Sequence, residues 1–290
     1  MRPQNLKTKI FLDSGDPEET KKALEVLGFL DGQTTNPSLI TKNPDIQKYI
    51  ASGNKLSDKE IYKKYKDIVT EISKLIPDGS VSIEVYADMT TPAEVMFEQG
   101  KEMFSWIPNA QVKYPIIKSG LAAAEMSIKA NMRVNMTLCF DEEQAATVYS
   151  ATLGAKKGDV YVSPFIGRLD DIGENGMMLI SNILKDFKQG DDHVEVLAAS
   201  IRTMDHFLCS LAIGADIITA PIKILTEWAE KGMPIPGKEY IYDSSKLKDI
   251  PYQGIDLNKE WTEYNYQHEL TDKGIEKFDK DWNSIIIREQ

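Results

Sequence analysis

Lys113 lies in QVKYPIIK, between Val112 and Tyr114 and close to Ile116, in a stretch that otherwise reads as buried strand. An amine attacks a carbonyl only when unprotonated, and burial among apolar side chains disfavours the ammonium form. That setting makes Lys113 a candidate Schiff-base nucleophile. The plainer reading is an end-of-strand lysine that runs its stem along apolar surface and its charge into water. Imine formation also needs proton transfer, because the first adduct must lose water. Asp13 closes KIFLD and Glu84 lies in VSIEV, so two carboxylates at the ends of other apolar runs are the acid and base candidates.

Further polar residues fall at the ends of β-branched runs: Asn36, Asn135, Thr137, Ser163 and Ser200. Each has a plain local explanation; Asn36 before Pro37 starts a turn, and Ser200 caps a following helix. Gathered in one interior, they need a ligand or a mutual hydrogen-bond network to satisfy them. Arginines matter for a different reason. The chain carries a net charge of -11, so an anionic substrate must be caught by local cations and not by an overall field. Guanidinium groups with a hydroxyl at a helix start make such an anion site, while ion pairs with Asp170, Asp171 or Asp205 are the bland alternative.

The framework that must position these groups is a series of strands alternating with helices. KIFLD (9–13), QTTN (33–36), VSIEV (81–85), QVKYP (111–115), RVNMTL (133–138), DVYVSPF (159–165), EVLAAS (195–200) and ADIITAP (215–221) read as strands. Asp16-Pro17-Glu18-Glu19, Thr91-Pro92-Ala93-Glu94 and Asp141-Glu142-Glu143-Gln144 each offer an N-cap side chain with Glu or Gln three residues on. Ile61, Tyr65, Ile68, Ile72 and Leu75 recur at helical spacing and leave Lys63, Lys64 and Lys66 mostly on the solvent face. Such alternation implies a parallel sheet, and eight units suit a closed (β/α)8 TIM barrel. An open doubly wound sheet is the runner-up, but neither G-x-G-x-x-G nor G-x-x-x-x-G-K-[ST] occurs. In a barrel the chemistry sits where the strands end, which is where the residues above fall.

The composition, 42% hydrophobic and 27% charged over 290 residues, suits a folded globular chain with a sizeable core. No apolar run reaches the roughly 18 residues that a membrane helix needs, and the N-terminus has no signal-peptide core, so a cytoplasmic protein without a membrane partner is expected. The acidic balance argues against nucleic acid as a partner. Cys139 and Cys209 lie far apart in apolar contexts and read as core residues. His193, His206 and His268 have no paired spacing, so no metal is expected, and the chemistry above needs no cofactor.

In order along the chain, FLDSGD, TTNPSLI, SIEV, VKYP, VNMTLCFDEEQA, YVSPFIGRLDD and VLAASIR resemble the transaldolase family and its close relatives, the fructose-6-phosphate aldolases. The resemblance covers nearly the whole barrel and implies that Lys113 forms the Schiff base with a ketose phosphate. It implies that Asp13 takes the C4 hydroxyl proton while the C3–C4 bond breaks, and that Glu84 and Thr137 hold a water that relays protons. Asn36, Asn135 and Ser163 would hold the hydroxyls of the three-carbon dihydroxyacetone unit. Arg168, Ser200 and Arg202 would receive the phosphate. The implied partners are sugar phosphates of the pentose phosphate pathway. The terminal KFDKDWNSIII resembles a helix that compact relatives use in subunit contacts, which leaves room for a homo-oligomer.

Two positions choose the reaction. The aldolase branch tends to have Gln where Glu84 stands and Tyr where Phe165 stands, so the resemblance implies a transaldolase that passes the three-carbon unit to an aldose phosphate. Without a phenol at position 165 the enamine waits for an acceptor. The alternatives are a lyase like fructose-6-phosphate aldolase and a transaldolase for a sulfonated ketose. Lys118 departs from the small or hydroxylated residue usual after the proline, and 42–79 is a longer connection than compact relatives have. The whole chain, 1–290, reads as one barrel domain, with 222–290 as an extension of ordered loops and a terminal helix packed over the rim.

Overall fold

The computed structural model describes residues 1–237 and 239–287. Among them eight parallel strands close into a barrel in chain order. They are β1 (Lys9–Asp13), β2 (Gly32–Thr34), β3 (Ser80–Glu84), β4 (Ala110–Pro115), β5 (Val134–Cys139), β6 (Val160–Pro164), β7 (Val194–Ala198) and β8 (Ile217–Ala220). Between them run α1 (Pro17–Leu27), α2 (Pro37–Thr41), α3 (Pro44–Ala51), α4 (Asp58–Leu75), α5 (Ala93–Phe104) and α6 (Lys118–Lys129). The outer ring continues with α7 (Glu142–Ala151), α8 (Ile166–Asp171), α9 (Gly176–Phe187), α10 (Met204–Ile213) and α11 (Ile222–Glu230). A looped stretch with one short 3-10 turn then leads to α12 (Glu269–Asn283). The (β/α)8 barrel read from the alternation of elements is the observed architecture.

Alternate strand positions serve different layers. Ile10 and Leu12, Val81 and Ile83, Val112 and Tyr114, and Val134 and Met136 are all buried, as a parallel sheet covered on its outer face by helices requires. The intervening positions fill the interior. There Phe11 meets Tyr161 edge to face at 5.9 Å, and Gly32 admits the Phe11 ring, since a Cβ at that position would stand 2.5 Å from it. Towards the strand C-termini the interior turns polar. Thr34 and Thr219 share a hydrogen bond of 2.6 Å, Ser163 donates to Asn135 at 2.6 Å, and Asn135 donates to Ser82 at 3.0 Å. Left unbonded, each of these buried groups would cost about 1–3 kcal/mol.

Asp16 accepts from the Glu18 amide at 3.0 Å and Asp141 from the Gln144 amide at 2.7 Å, so both cap their helices as read. Thr91 does not. Its hydroxyl turns back to Asp88 at 2.9 Å, and α5 begins after Pro92 without a side-chain cap. In α4 the buried face is Ile61, Tyr65, Val69 and Ile72, with Ile68 and Leu75 half-buried beside it.

The long 42–79 connection holds residues 285–287, just after the last helix, in place. Leu56 N donates to Ile285 O at 3.0 Å and Ile287 N to Leu56 O at 2.8 Å, a parallel bridge. Trp282 packs its ring 5.6 Å from that of Tyr62 and 6.1 Å from that of Tyr65. These contacts lay α12 against α2 at the barrel mouth. Of the extension 222–290, residues 238 and 288–290 lie outside the described set. Among the described residues no helix is long and apolar enough to cross a membrane. Cys139 and Cys209 are buried free thiols.

Candidate active site

Strand register brings the acid to the amine. β3 pairs with β4 so that Glu84 stands opposite Lys113, and β4 pairs with β5 so that Lys113 stands opposite Asn135. Register partners on neighbouring strands share a face of the sheet. Lys113 Nζ lies 2.9 Å from Glu84 Oε2, with the two side chains only 4% and 3% exposed. Asp13 ends β1 within reach of the same charge and accepts a hydrogen bond from Thr34 Oγ1 at 2.7 Å. Burial pushes both Asp13 and Glu84 above the ordinary carboxylate range, and the charge of Lys113 opposes it in each case. The backbone beneath is pinned as well: Glu84 N donates to the Tyr65 hydroxyl at 3.0 Å, and that hydroxyl meets Thr35 Oγ1 at 2.6 Å.

Thr137 follows Asn135 by two residues and so points to the same interior. Its Oγ1 is buried without a hydrogen-bond partner among the described residues, and Glu84 Oε2, though in ion-pair contact with Lys113, has no aligned hydrogen bond among them. Asn135 and Ser163 are bonded to each other at the interior's polar end. Asn36 does not sit in a strand. β2 stops at Thr34, and Asn36 caps α2, its Oδ1 accepting from Leu39 N at 2.9 Å. Pro37 cannot donate to a sheet ladder, which ends the strand here.

A cavity of about 520 Å³ opens above this floor. Asp13, Asn36, Lys113, Ser163 and Phe165 line it, with Arg168, Ser200 and Arg202 along the wall. Glu84, Asn135 and Thr137 are buried beneath the lining. The two arginines differ. Arg168 is half-buried, its guanidinium 5.3 Å from the Phe165 ring and 5.7 Å from that of Phe278, and among the described residues its side chain has no hydrogen bond or ion pair. Burial, and then the charge of Arg202, hold its pKa below the usual arginine value. Its donors are unspent, which is what an anion site requires. Arg202 instead contacts Asp171 in a partly exposed ion pair, the bland alternative for this residue.

Ser200 is not a helix cap. Thr203 caps α10, accepting from His206 N at 3.0 Å, while Ser200 sits at a turn with a left-handed φ of 60°. Ser200 and Arg202 still line the cavity, but the Ser200 hydroxyl does not stand at a helix start as expected. Lys118 is exposed at the start of α6 and does not line it.

Other lining residues escape the sequence. Thr34 and Thr219 position Asp13 from β2 and β8, and Lys42 stands just after α2. Leu270, Lys273, Lys277 and Phe278 come from α12. Thr34 has the strand parity of an interior residue and could have been found that way. The approach of α12 depends on packing between distant segments and leaves no local pattern.

The family model for Transaldolase/Fructose-6-phosphate aldolase matches residues 10–288. A protein of Dehalococcoides mccartyi named probable transaldolase is 36% identical over 277 residues, covering 96% of this chain and 99% of its own length. Proteins of the same name are similar in Herpetosiphon aurantiacus, at 34% over 277 residues and 96% of each chain, and in Cytophaga hutchinsonii, at 40% over 219 residues, 75% of this chain and 88% of that one. With the match running from the first strand through α12 of a closed eight-stranded barrel, the chain belongs to the transaldolase/fructose-6-phosphate aldolase family.

Proposed function

We propose that the protein is a transaldolase that moves a dihydroxyacetone unit from a ketose phosphate, fructose 6-phosphate or sedoheptulose 7-phosphate, to an aldose phosphate through a Schiff base on Lys113. One observation carries this reading: a shielded amine 2.9 Å from a carboxylate lies at the floor of a cavity whose wall holds a guanidinium unpaired among the described residues.

In this reading Lys113 Nζ adds to the C2 carbonyl, and the carbinolamine loses water with a proton delivered through Glu84. Asp13 takes the C4 hydroxyl proton, the C3–C4 bond breaks, its electron pair passes into the iminium, and an aldose phosphate leaves an enamine behind. The acceptor aldehyde then bonds to the enamine carbon, Asp13 returns its proton, and water frees the new ketose and the amine. Carboxylates raised by burial hold a proton more readily than free ones, which suits groups that must take and return protons. The buried Thr137 hydroxyl and Glu84 Oε2 would hold the relaying water. Asn36, Asn135 and Ser163 would bind the hydroxyls of the three-carbon unit; Ser163 and Asn135 keep free lone pairs and an amide hydrogen beyond their mutual bond. Arg168, Ser200 and Arg202 would receive the phosphate.

Glu84 and Phe165 favour transfer over release. The Phe165 ring lies 5.9 Å from Lys113 Nζ and brings no hydroxyl to protonate the enamine. Turnover of fructose 6-phosphate with and without erythrose 4-phosphate tests this. Acceptor-dependent turnover is expected, release of free dihydroxyacetone at a comparable rate would indicate the lyase, and a faster rate with a sulfonated ketose would reassign the donor.

A further inference from the structure

The guanidinium of Arg168 lies between two aromatic rings, and one of them comes from α12. Phe278 presents its ring 5.7 Å away, complementing Phe165 at 5.3 Å. Gly274 precedes Phe278 by one helical turn, so the two share a face of α12. A Cβ built on Gly274 would stand 2.7 Å from Arg168 Nη1 and 2.7 Å from Leu138 Cδ2. Both atoms are ends of flexible side chains, so an added methyl would displace Arg168 without breaking the backbone.

The same face is anchored to the barrel. Thr271 Oγ1 donates to Leu138 O at 2.8 Å and accepts from Gln144 Nε2 at 2.9 Å, and Ser38 contacts Asp281 further along. A glycine inside a helix is unfavourable, so its presence here calls for a packing reason. Close passage of Arg168 supplies one. Aromatic faces offset part of the cost of desolvating a cation while leaving its N–H groups free for a ligand.

We propose that Gly274 and Phe278 are positioning residues: through them α12 fixes the Arg168 guanidinium where a substrate phosphate binds, and so sets the preference for phosphorylated over unphosphorylated ketoses. The inference rests on the assignment of Arg168 to the phosphate. The readout is the ratio of kcat/KM for fructose 6-phosphate to that for fructose, measured on the full chain together with the melting temperature. Gly274→Ala and Phe278→Leu are each expected to lower the ratio about tenfold, mainly through KM for the phosphorylated sugar. Phe278→Tyr, which keeps the aromatic face, is expected to hold the ratio within about twofold. Gly274→Ala is expected to stay folded, the helix propensity gained by alanine offsetting part of the cost of displacing Arg168 and Leu138; should Phe278→Leu fail to fold, Gly274→Ala decides. An unchanged ratio in Gly274→Ala, or equal losses for both sugars, overturns the proposal. Arg168→Ala separates the two levels: if it leaves the ratio unchanged, the phosphate assignment fails, whereas a drop there without a drop in Gly274→Ala removes only the role of α12.

Discussion

Lys113 Nζ and Glu84 Oε2 stand 2.9 Å apart, and both side chains are almost wholly buried. Replacing one member of such a pair strands the other charge and removes a proton carrier together. Glu84→Gln is therefore expected to lower kcat by about 10²–10⁴, the usual range for a general acid or base. Steady-state rates with fructose 6-phosphate and erythrose 4-phosphate check it, and a kcat near the parent value would remove Glu84 from the proton path.

Asp13 is raised by burial despite the pull of Lys113 and the hydrogen bond from Thr34. A carboxylate whose folded value exceeds its unfolded value favours the fold below the unfolded value, and that contribution is lost as pH rises through the folded one. Above the unfolded value the buried carboxyl thus costs stability. Asp13→Asn should melt higher than the parent at pH 7, with the gain shrinking near pH 3, while kcat falls about 10²-fold or more. Part of Asp13 faces the cavity, which keeps the gain modest. A lower melting temperature at pH 7 would count against the buried-base role.

Thr137 Oγ1 is buried and unbonded among the described residues, so removing it breaks no internal hydrogen bond among them. Thr137→Val is expected to leave thermal stability equal or slightly higher and to slow turnover about tenfold through loss of the proton relay. Paired melting curves and rates decide; full turnover with unchanged stability would mean that the hydroxyl has no part in catalysis.

The arginines should differ in weight. No carboxylate pairs with Arg168 among the described residues, so Arg168→Ala is expected to cost about 2–4 kcal/mol in kcat/KM for phosphorylated ketoses. Arg202 must first leave Asp171, so Arg202→Ala should cost less and Asp171→Asn should lower KM. The reverse order between the two arginines would shift the phosphate towards Arg202.

Lys113, Asp13 and Glu84 are legible in the sequence because strand parity and parallel register fix them: Asp13 and Glu84 close β1 and β3, and Lys113 is the interior residue of β4 paired with Glu84. Asn135, Thr137 and Ser163 follow from the same rule. Asn36 and Ser200 lie just beyond the last ladder bond, where a proline-started helix and a left-handed turn set the backbone, and no period extends that far. Which arginine is paired is hidden for a different reason. Asp171 is close to Arg168 in sequence, yet the packing of α8 turns it to Arg202. The reach of α12 to the mouth depends on the Leu56 bridge and the Trp282 contacts, which join segments too distant to leave a shared motif.

The most direct test of the covalent chemistry is reduction of the protein with borohydride in the presence of fructose 6-phosphate, followed by intact-mass and peptide mass spectrometry. A single three-carbon adduct on Lys113 is expected, absent from a Lys113→Ala variant that has also lost turnover. No adduct on Lys113, or an active Lys113→Ala protein modified at another lysine, would contradict the Schiff base at this site.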